Sequence, residues 1–178
     1  MSPLQASYPV TAPVEKAVVV PILRSGLQMV NAFLALLPTD TSVHHLGLFR
    51  DKHTLSPVEY YNKLPPLNTA SQVDIAFVVD PIIATGGTAA TVVSILKEWG
   101  VKRIIFTSVL ASQEGLQRAA NEWPERFAPL ALQYTNFSRT VFHVGAIDPN
   151  LNDRGYIVPG YCRLLNISLT DQTRRHRR

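Results

Sequence analysis

The sequence predicts an α/β fold in which a parallel sheet is covered on both faces by helices. Short apolar runs alternate along the chain with helical patterns. Runs of that length, with little polar alternation, suit strands buried on both sides. The runs also end on charged or glycine-containing turns, and in open sheets of this kind ligands sit beyond the carboxyl ends of the strands. The chain has 178 residues, 46% of them hydrophobic, which suits one domain with its own core.

Met1 to Glu15 holds three prolines and reads as an extended lead-in. Ala17 to Ile22 is a compact apolar run, hence a buried strand. It opens into Leu23-Arg24-Ser25-Gly26. A helix follows, because Leu27, Val30, Leu34 and Leu37 recur at three- and four-residue steps and make one apolar face. Pro38 stops it. Val43 to Phe49 is the next strand, ending at Arg50-Asp51; within it His44 and His45 alternate, so one packs and the other faces solvent. Lys52 to Leu67, with Pro57, Pro65 and Pro66 and few aliphatics, reads as an arm or hairpin projecting from the sheet, with Tyr60 and Tyr61 in arm packing or subunit contacts.

Ile75 to Val79 is an apolar strand that ends in Asp80. The helix after it runs from about Thr88 to Trp99, burying Ala89, Val92, Val93, Leu96 and Trp99, with Gly100 as its C-terminal cap. Arg103 to Leu110 is a β-branched strand, and Gln113 to Trp123 a helix ended by Pro124. Glu125 to Arg139 has weak periodicity. Val141 to Val144 is a short strand; Ala146-Ile147-Asp148 leads to a polar turn over Pro149 to Arg154, and then to Gly155-Tyr156-Ile157-Val158-Pro159-Gly160. Beyond Leu169 disorder is expected. The chain is read as a single domain over 1–178, with 1–15 a lead-in and 170–178 a basic tail.

The net charge of +4 is concentrated at one end, since Arg174, Arg175, Arg177 and Arg178 account for it. The high pI thus reports a solvated tail and not a nucleic-acid surface. No apolar run approaches the length of a membrane span. The first residues lack the basic start and apolar core of a secretory signal. A single cysteine, Cys162, excludes an internal disulfide framework and has no evident histidine partner. These features favour a cytoplasmic protein. No His or Cys spacing resembles a metal site.

The chemistry gathers at the strand ends, which carry Arg24, Arg50, Asp80 and Ser112. Asp80-Pro81-Ile82-Ile83-Ala84-Thr85-Gly86-Gly87-Thr88 joins a strand to a helix. Its adjacent glycines let backbone N–H groups converge at the positive end of that helix, an arrangement suited to phosphate. A ligand that such a rim would suit carries a sugar 5-phosphate at one end and a diphosphate at the anomeric carbon. Thr85 to Thr88 would hold the 5-phosphate, Asp80 would accept from the ribose hydroxyls, and Arg24 and Arg50 would offer paired donors to the diphosphate. Mg2+ would bridge diphosphate and ribose oxygens and keep most of its waters.

Five segments together resemble the uracil phosphoribosyltransferase family. They are Val20-Pro21-Ile22-Leu23-Arg24-Ser25-Gly26, Gly47-Leu48-Phe49-Arg50-Asp51, Pro57-Val58-Glu59-Tyr60-Tyr61-Asn62-Lys63-Leu64-Pro65, the Asp80 to Thr88 loop, and Gly155-Tyr156-Ile157-Val158-Pro159-Gly160. The resemblance implies a type I phosphoribosyltransferase core, a Rossmann-like parallel sheet flanked by helices with a projecting arm. It implies transfer of phosphoribosyl from phosphoribosyl diphosphate to uracil, giving UMP and diphosphate in pyrimidine salvage. Arg24, Arg50 and Asp80 to Thr88 carry over to the donor site, with Arg24, Arg50 and Asp80 as the catalytic groups. Tyr156, Ile157 and Gly160 carry over to the uracil pocket. Mg2+ is the implied cofactor, held mainly by the substrate and not by a protein cluster. A homodimer or larger homo-oligomer is implied, with the Lys52 to Leu67 arm as the contact; neither membrane nor nucleic acid is expected as a partner.

Three departures from the family pattern stand out. The lead-in before the first strand is short, and the stretch between Pro124 and Val141 is long. After Pro159-Gly160 the family continues Leu-Gly-Asp-Ala-Gly-Asp-Arg, whereas this chain reads Tyr161-Cys162-Arg163-Leu164-Leu165-Asn166-Ile167. A cation there stands in place of an acid, and bulky side chains stand in place of glycines. The expectation is a truncated, alternatively spliced or frameshifted product. The alternative reading is an impaired or inactive relative that binds phosphoribosyl diphosphate or nucleotide as a regulatory or interaction subunit.

Overall fold

A computed structural model describes residues 15–51, 57–66, 73–123 and 140–160. Ala17–Leu23 forms the first strand (β1), and its interior residues are buried on both sides. Leu27–Leu34 is a helix (α1). Ser42–Val43 (β2) and Leu46–Arg50 (β3) follow, then Pro57–Asn62 (β4), Ile75–Val79 (β5) and a short Ile82–Ile83 (β6). Gly87–Glu98 (α2), Arg103–Ser112 (β7), Gln113–Asn121 (α3), Thr140–Asp148 (β8), Asn150–Leu151 (β9) and Ile157–Val158 (β10) complete the described elements.

The main sheet runs β4-β3-β1-β5-β7-β6, with β2 beside β1 and β8 beside β7. Within it the strands are parallel, except that β4 returns antiparallel to β3. Val18, Ala76 and Ile104 stand in register across its centre. This is the α/β class that the alternation of apolar runs and helices predicts. Val20, Val78 and Phe106 turn one face of the sheet onto Val92, Val93 and Leu96 of α2 and Leu116 and Ala119 of α3. Phe142 of β8 stacks on Phe106 at 5.5 Å.

Coverage of the second face departs from expectation. Among the described residues only α1 packs there, with Phe33 against Phe77 of β5 at 6.0 Å. None of its eight residues is buried. An eight-residue helix is about 12 Å long and covers little more than two strands. Alternation along β7 places Val109 on the face of Phe77, and Val109 and Ile147 are both exposed.

The single strand expected over Val43 to Phe49 is two. Its register against β1 is continuous, Val19 opposite Val43 and Ile22 opposite Leu46, so the break is in hydrogen bonding and not in direction. The amide of His44 donates to Val19 O at 2.9 Å. The companion bond of a parallel bridge would come from the N–H of residue 21, and Pro21 has none. His44 packs edge-on to Trp99 with ring centres 5.9 Å apart, and burial lowers its pKa. Neither His44 nor His45 is fully buried, so the expected division into one packed and one solvent-facing ring is only partial.

The strand expected over Val141 to Val144 is nine residues long, because pairing with β7 carries it on to Ser112 opposite Asp148. The turn expected over Pro149 to Arg154 contains β9, which pairs antiparallel with β10. Asn152 closes this hairpin: its Oδ1 accepts from the amides of Arg154 and Tyr156 at 3.0 and 2.9 Å. Trp99 is half-buried instead of buried, and its indole N–H donates to Pro65 O at 2.8 Å. Gly100 follows the helix with φ 86°, as a C-terminal cap requires. The arm appears as the exposed edge strand β4. The lead-in, the Glu125 to Arg139 stretch, Cys162, the Tyr161 to Ile167 segment and the basic tail fall outside the described residues.

Candidate functional site

Parallel strands end at the same edge, so β1, β3, β5, β7 and β8 deliver Arg24, Arg50, Asp80, Ser112 and Asp148 to one rim. Arg24 follows β1 through a cis Leu23–Arg24 peptide and is exposed. Arg50 closes β3, paired with Pro57; its side chain lies outside the described residues. Asp80 follows β5, and its amide donates to Thr107 O at 3.2 Å.

Asp80 is the best-defined charged group of the rim. Ser25 Oγ donates to its Oδ1 at 2.8 Å. Burial pushes its pKa up to about 6, against the opposing pull of the hydrogen bonds from Ser25 and from the Ile82 amide. It is therefore mostly ionised at neutral pH, in surroundings that hydrate it poorly.

The following loop is held from beneath. Ser112 Oγ donates to Ala84 O and accepts from the Gly115 amide at 2.8 Å, so one buried hydroxyl fastens the loop and caps α3. Gly86 has φ 72° and ψ −5°, the left-handed conformation, and a Cβ there would run into Gly115 O. The turn places Gly86 as the N-cap of α2, with no side-chain cap and no acid in the first turn. The first-turn N–H groups, which no carbonyl of the helix can reach, are the helix's positive end. A cavity of about 120 Å³ lies over them, lined by Asp80 and the run from Ile82 to Ala89.

Tyr156, Ile157 and Gly160 lie in and beside β10. Tyr156 is exposed and Ile157 half-buried. The Val158–Pro159 peptide is cis, and Gly160 is buried with φ 58°. Its amide donates to Asp148 Oδ2 at 2.9 Å, and Asp148 is itself buried. Sequence reasoning treated Asp148 only as a lead into the turn, read Ser112 only as a rim residue, and assigned nothing to Ser25 or Gly115. The signal available for Ser112 was its place one residue before a helix.

Among the described residues no three His, Cys, Asp or Glu side chains gather as a metal cage. A single carboxylate, with one oxygen engaged by Ser25, fits a Mg2+ that arrives on substrate phosphates and keeps its waters. No helix among the described residues is long and apolar enough to cross a membrane.

Comparison with known proteins agrees with this geometry. A putative uracil phosphoribosyltransferase of Schizosaccharomyces pombe is 46% identical over 142 residues, 80% of this chain and 60% of that protein. A uracil phosphoribosyltransferase of a Roseiflexus species is 49% identical over 146 residues, 82% of this chain and 62% of that protein. The chain thus spans about 60% of the length of the curated relatives it matches. A solved structure from Aquifex aeolicus superposes with a TM-score of 0.67 at 31% identity, over 82% of this chain and 61% of that one. A hypoxanthine-guanine phosphoribosyltransferase from Bacillus anthracis shares the fold, with a TM-score of 0.50 at 16% identity over 78% of this chain and 69% of that one. The family profile described as uracil phosphoribosyltransferase matches residues 1–163, a span that contains the Arg24 turn, the Asp80 loop and the Tyr156 to Gly160 segment. With a rim built from those segments and relatives of that name, the chain belongs to the uracil phosphoribosyltransferase family.

Proposed function

We propose that the chain transfers the phosphoribosyl group of phosphoribosyl diphosphate to uracil, forming UMP and diphosphate. The observation that carries this is the pairing of a left-handed Gly86 at an uncapped, acid-free helix start with an ionisable Asp80 in the same cavity. The amides from Thr85 to Thr88 hold the 5-phosphate, with Pro81, Ile82, Ile83 and Ala84 shaping the turn between it and the sugar. Asp80 accepts from the ribose hydroxyls. Arg24 and Arg50 receive the diphosphate as its bond to the anomeric carbon breaks, a charge-stabilising role worth roughly 3–4 kcal/mol per donor. Tyr156, Ile157 and Gly160 take the base, whose ring nitrogen forms the new bond and gives up its proton to the departing diphosphate. Ala84 leaves the loop without a side-chain base.

Mg2+ bound together with the substrate would supply neutralising charge at the leaving group, and Asp80 is the carboxylate that would meet it. The exposed Val58, Tyr60 and Tyr61 of β4 support a homodimer or larger assembly through that edge. Pyrimidine salvage in the cytoplasm is the setting this reaction fits.

The test is direct. Purified chain with Mg2+, phosphoribosyl diphosphate and labelled uracil is expected to form labelled UMP. Binding of phosphoribosyl diphosphate without UMP would sink the enzyme and leave the binding subunit. Replacing Tyr161 to Ile167 by Leu-Gly-Asp-Ala-Gly-Asp-Arg should in that event restore turnover.

A further inference from the structure

We propose that Arg118, on α3, is a further phosphate-binding residue that supplies the full positive charge the cradle itself lacks; this rests on reading the start of α2 as the 5-phosphate site. Between Asp80 and Thr88 there is no lysine or arginine. The cradle therefore offers a dianionic phosphate only amide dipoles, hydroxyls and a helix end worth about half a charge.

Arg118 lies against that helix end. Its Nη1, Cζ and Nη2 stand 3.7, 3.8 and 3.8 Å from the point where a Cβ on Gly87 would be. Three guanidinium atoms nearly equidistant from one point mean that the group lies face-on over Gly87. Its N–H donors then fan outward in the plane, and a planar fork matches phosphate oxygens. The placement follows from the helix. Gly115 braces the Gly86 turn, and Arg118 is three residues on, hence on the same side of α3.

The side chain is also uncommitted. Among the described residues Arg118 makes no hydrogen bond or ion pair, whereas Lys102 pairs with Asp74, Arg103 with Glu15, and Lys97 lies over Trp123. An exposed arginine with no acid partner among the described residues, held flat over Gly87, which itself lines the cavity, is placed to close on an anion from the side.

Ribose 5-phosphate isolates this end of the donor, and Mg2+-diphosphate isolates the other. Calorimetric titration of the full chain with each separates the two. Arg118→Gln is expected to weaken ribose 5-phosphate about tenfold, the low end for a bond to a charged group, and to leave Mg2+-diphosphate unchanged. Arg118→Lys should lose less, and the thermal midpoint of both variants should match that of the unaltered chain. Unchanged ribose 5-phosphate affinity in Arg118→Gln would overturn the proposal and leave the cradle standing. An equal loss for Mg2+-diphosphate would also overturn it, by showing a general charge effect. Failure of the unaltered chain to bind ribose 5-phosphate would overturn the cradle and the Arg118 role together.

Discussion

Ser25 Oγ donates to Asp80 Oδ1 across 2.8 Å, joining the turn after β1 to the turn after β5. The bond favours the ionised carboxylate in a site whose burial disfavours it. Ser25→Ala removes that help, so the pKa of Asp80 should rise further above about 6. The acid limb of the pH–rate profile should move to higher pH by up to about one unit. An unmoved limb, with activity lowered evenly at all pH values, would show that Ser25 only shapes its turn.

The same burial makes Asp80 costly to the fold. Its folded pKa of about 6 lies above the ordinary carboxyl value of 3.8, so between those values the folded chain holds a proton that the unfolded chain has released. Stability is fully present below about pH 4 and is lost as pH rises through 6. Asp80→Asn should therefore match the unaltered chain near pH 3.5 and exceed it in thermal midpoint above pH 6. Activity should fall about a hundredfold or more, since the amide carries no charge. Midpoints that differ equally at pH 3.5 and pH 7 would contradict this account.

Gly86 has two reasons to resist substitution, a positive φ and the carbonyl of Gly115. The left-handed conformation alone costs a residue with a side chain about 1–2 kcal/mol, and the clash adds to it. Gly86→Ala should lower the urea midpoint by more than Gly87→Ala, whose Cβ would meet only Arg118 at ordinary distance. It should also abolish measurable binding of ribose 5-phosphate.

Asp148 acts through the backbone of Gly160. Asp148→Ala leaves a buried amide unpaired, a penalty of about 1–3 kcal/mol that falls on the segment assigned to the base. KM for uracil should rise about tenfold while KM for phosphoribosyl diphosphate stays put. Asp148→Asn keeps an acceptor and should recover most of the loss. A parallel rise in both constants would point to general destabilisation.

Much of this protein is local and so was open to reading from the chain alone. Apolar runs named the central strands, and the periodic faces named α2 and α3. Gly86 and Gly87 after a strand ending in Asp80 marked the tight turn into α2, because the left-handed turn and the helix start depend on neighbours a few residues away. What escaped depends on pairing between distant segments. Ser25 meets Asp80 across 55 positions and Ser112 meets Ala84 across 28, contacts that exist only once β1, β5 and β7 lie in register. The length of β8 came from β7, and the split of the second strand came from a missing N–H at Pro21 on its neighbour. The composition of the rim was thus decided residue by residue along the chain. Which of those residues brace, hydrogen-bond or lie flat against one another was decided by strand order and helix packing, since a hydrogen bond between loops requires both ends to be delivered to the same edge of one sheet.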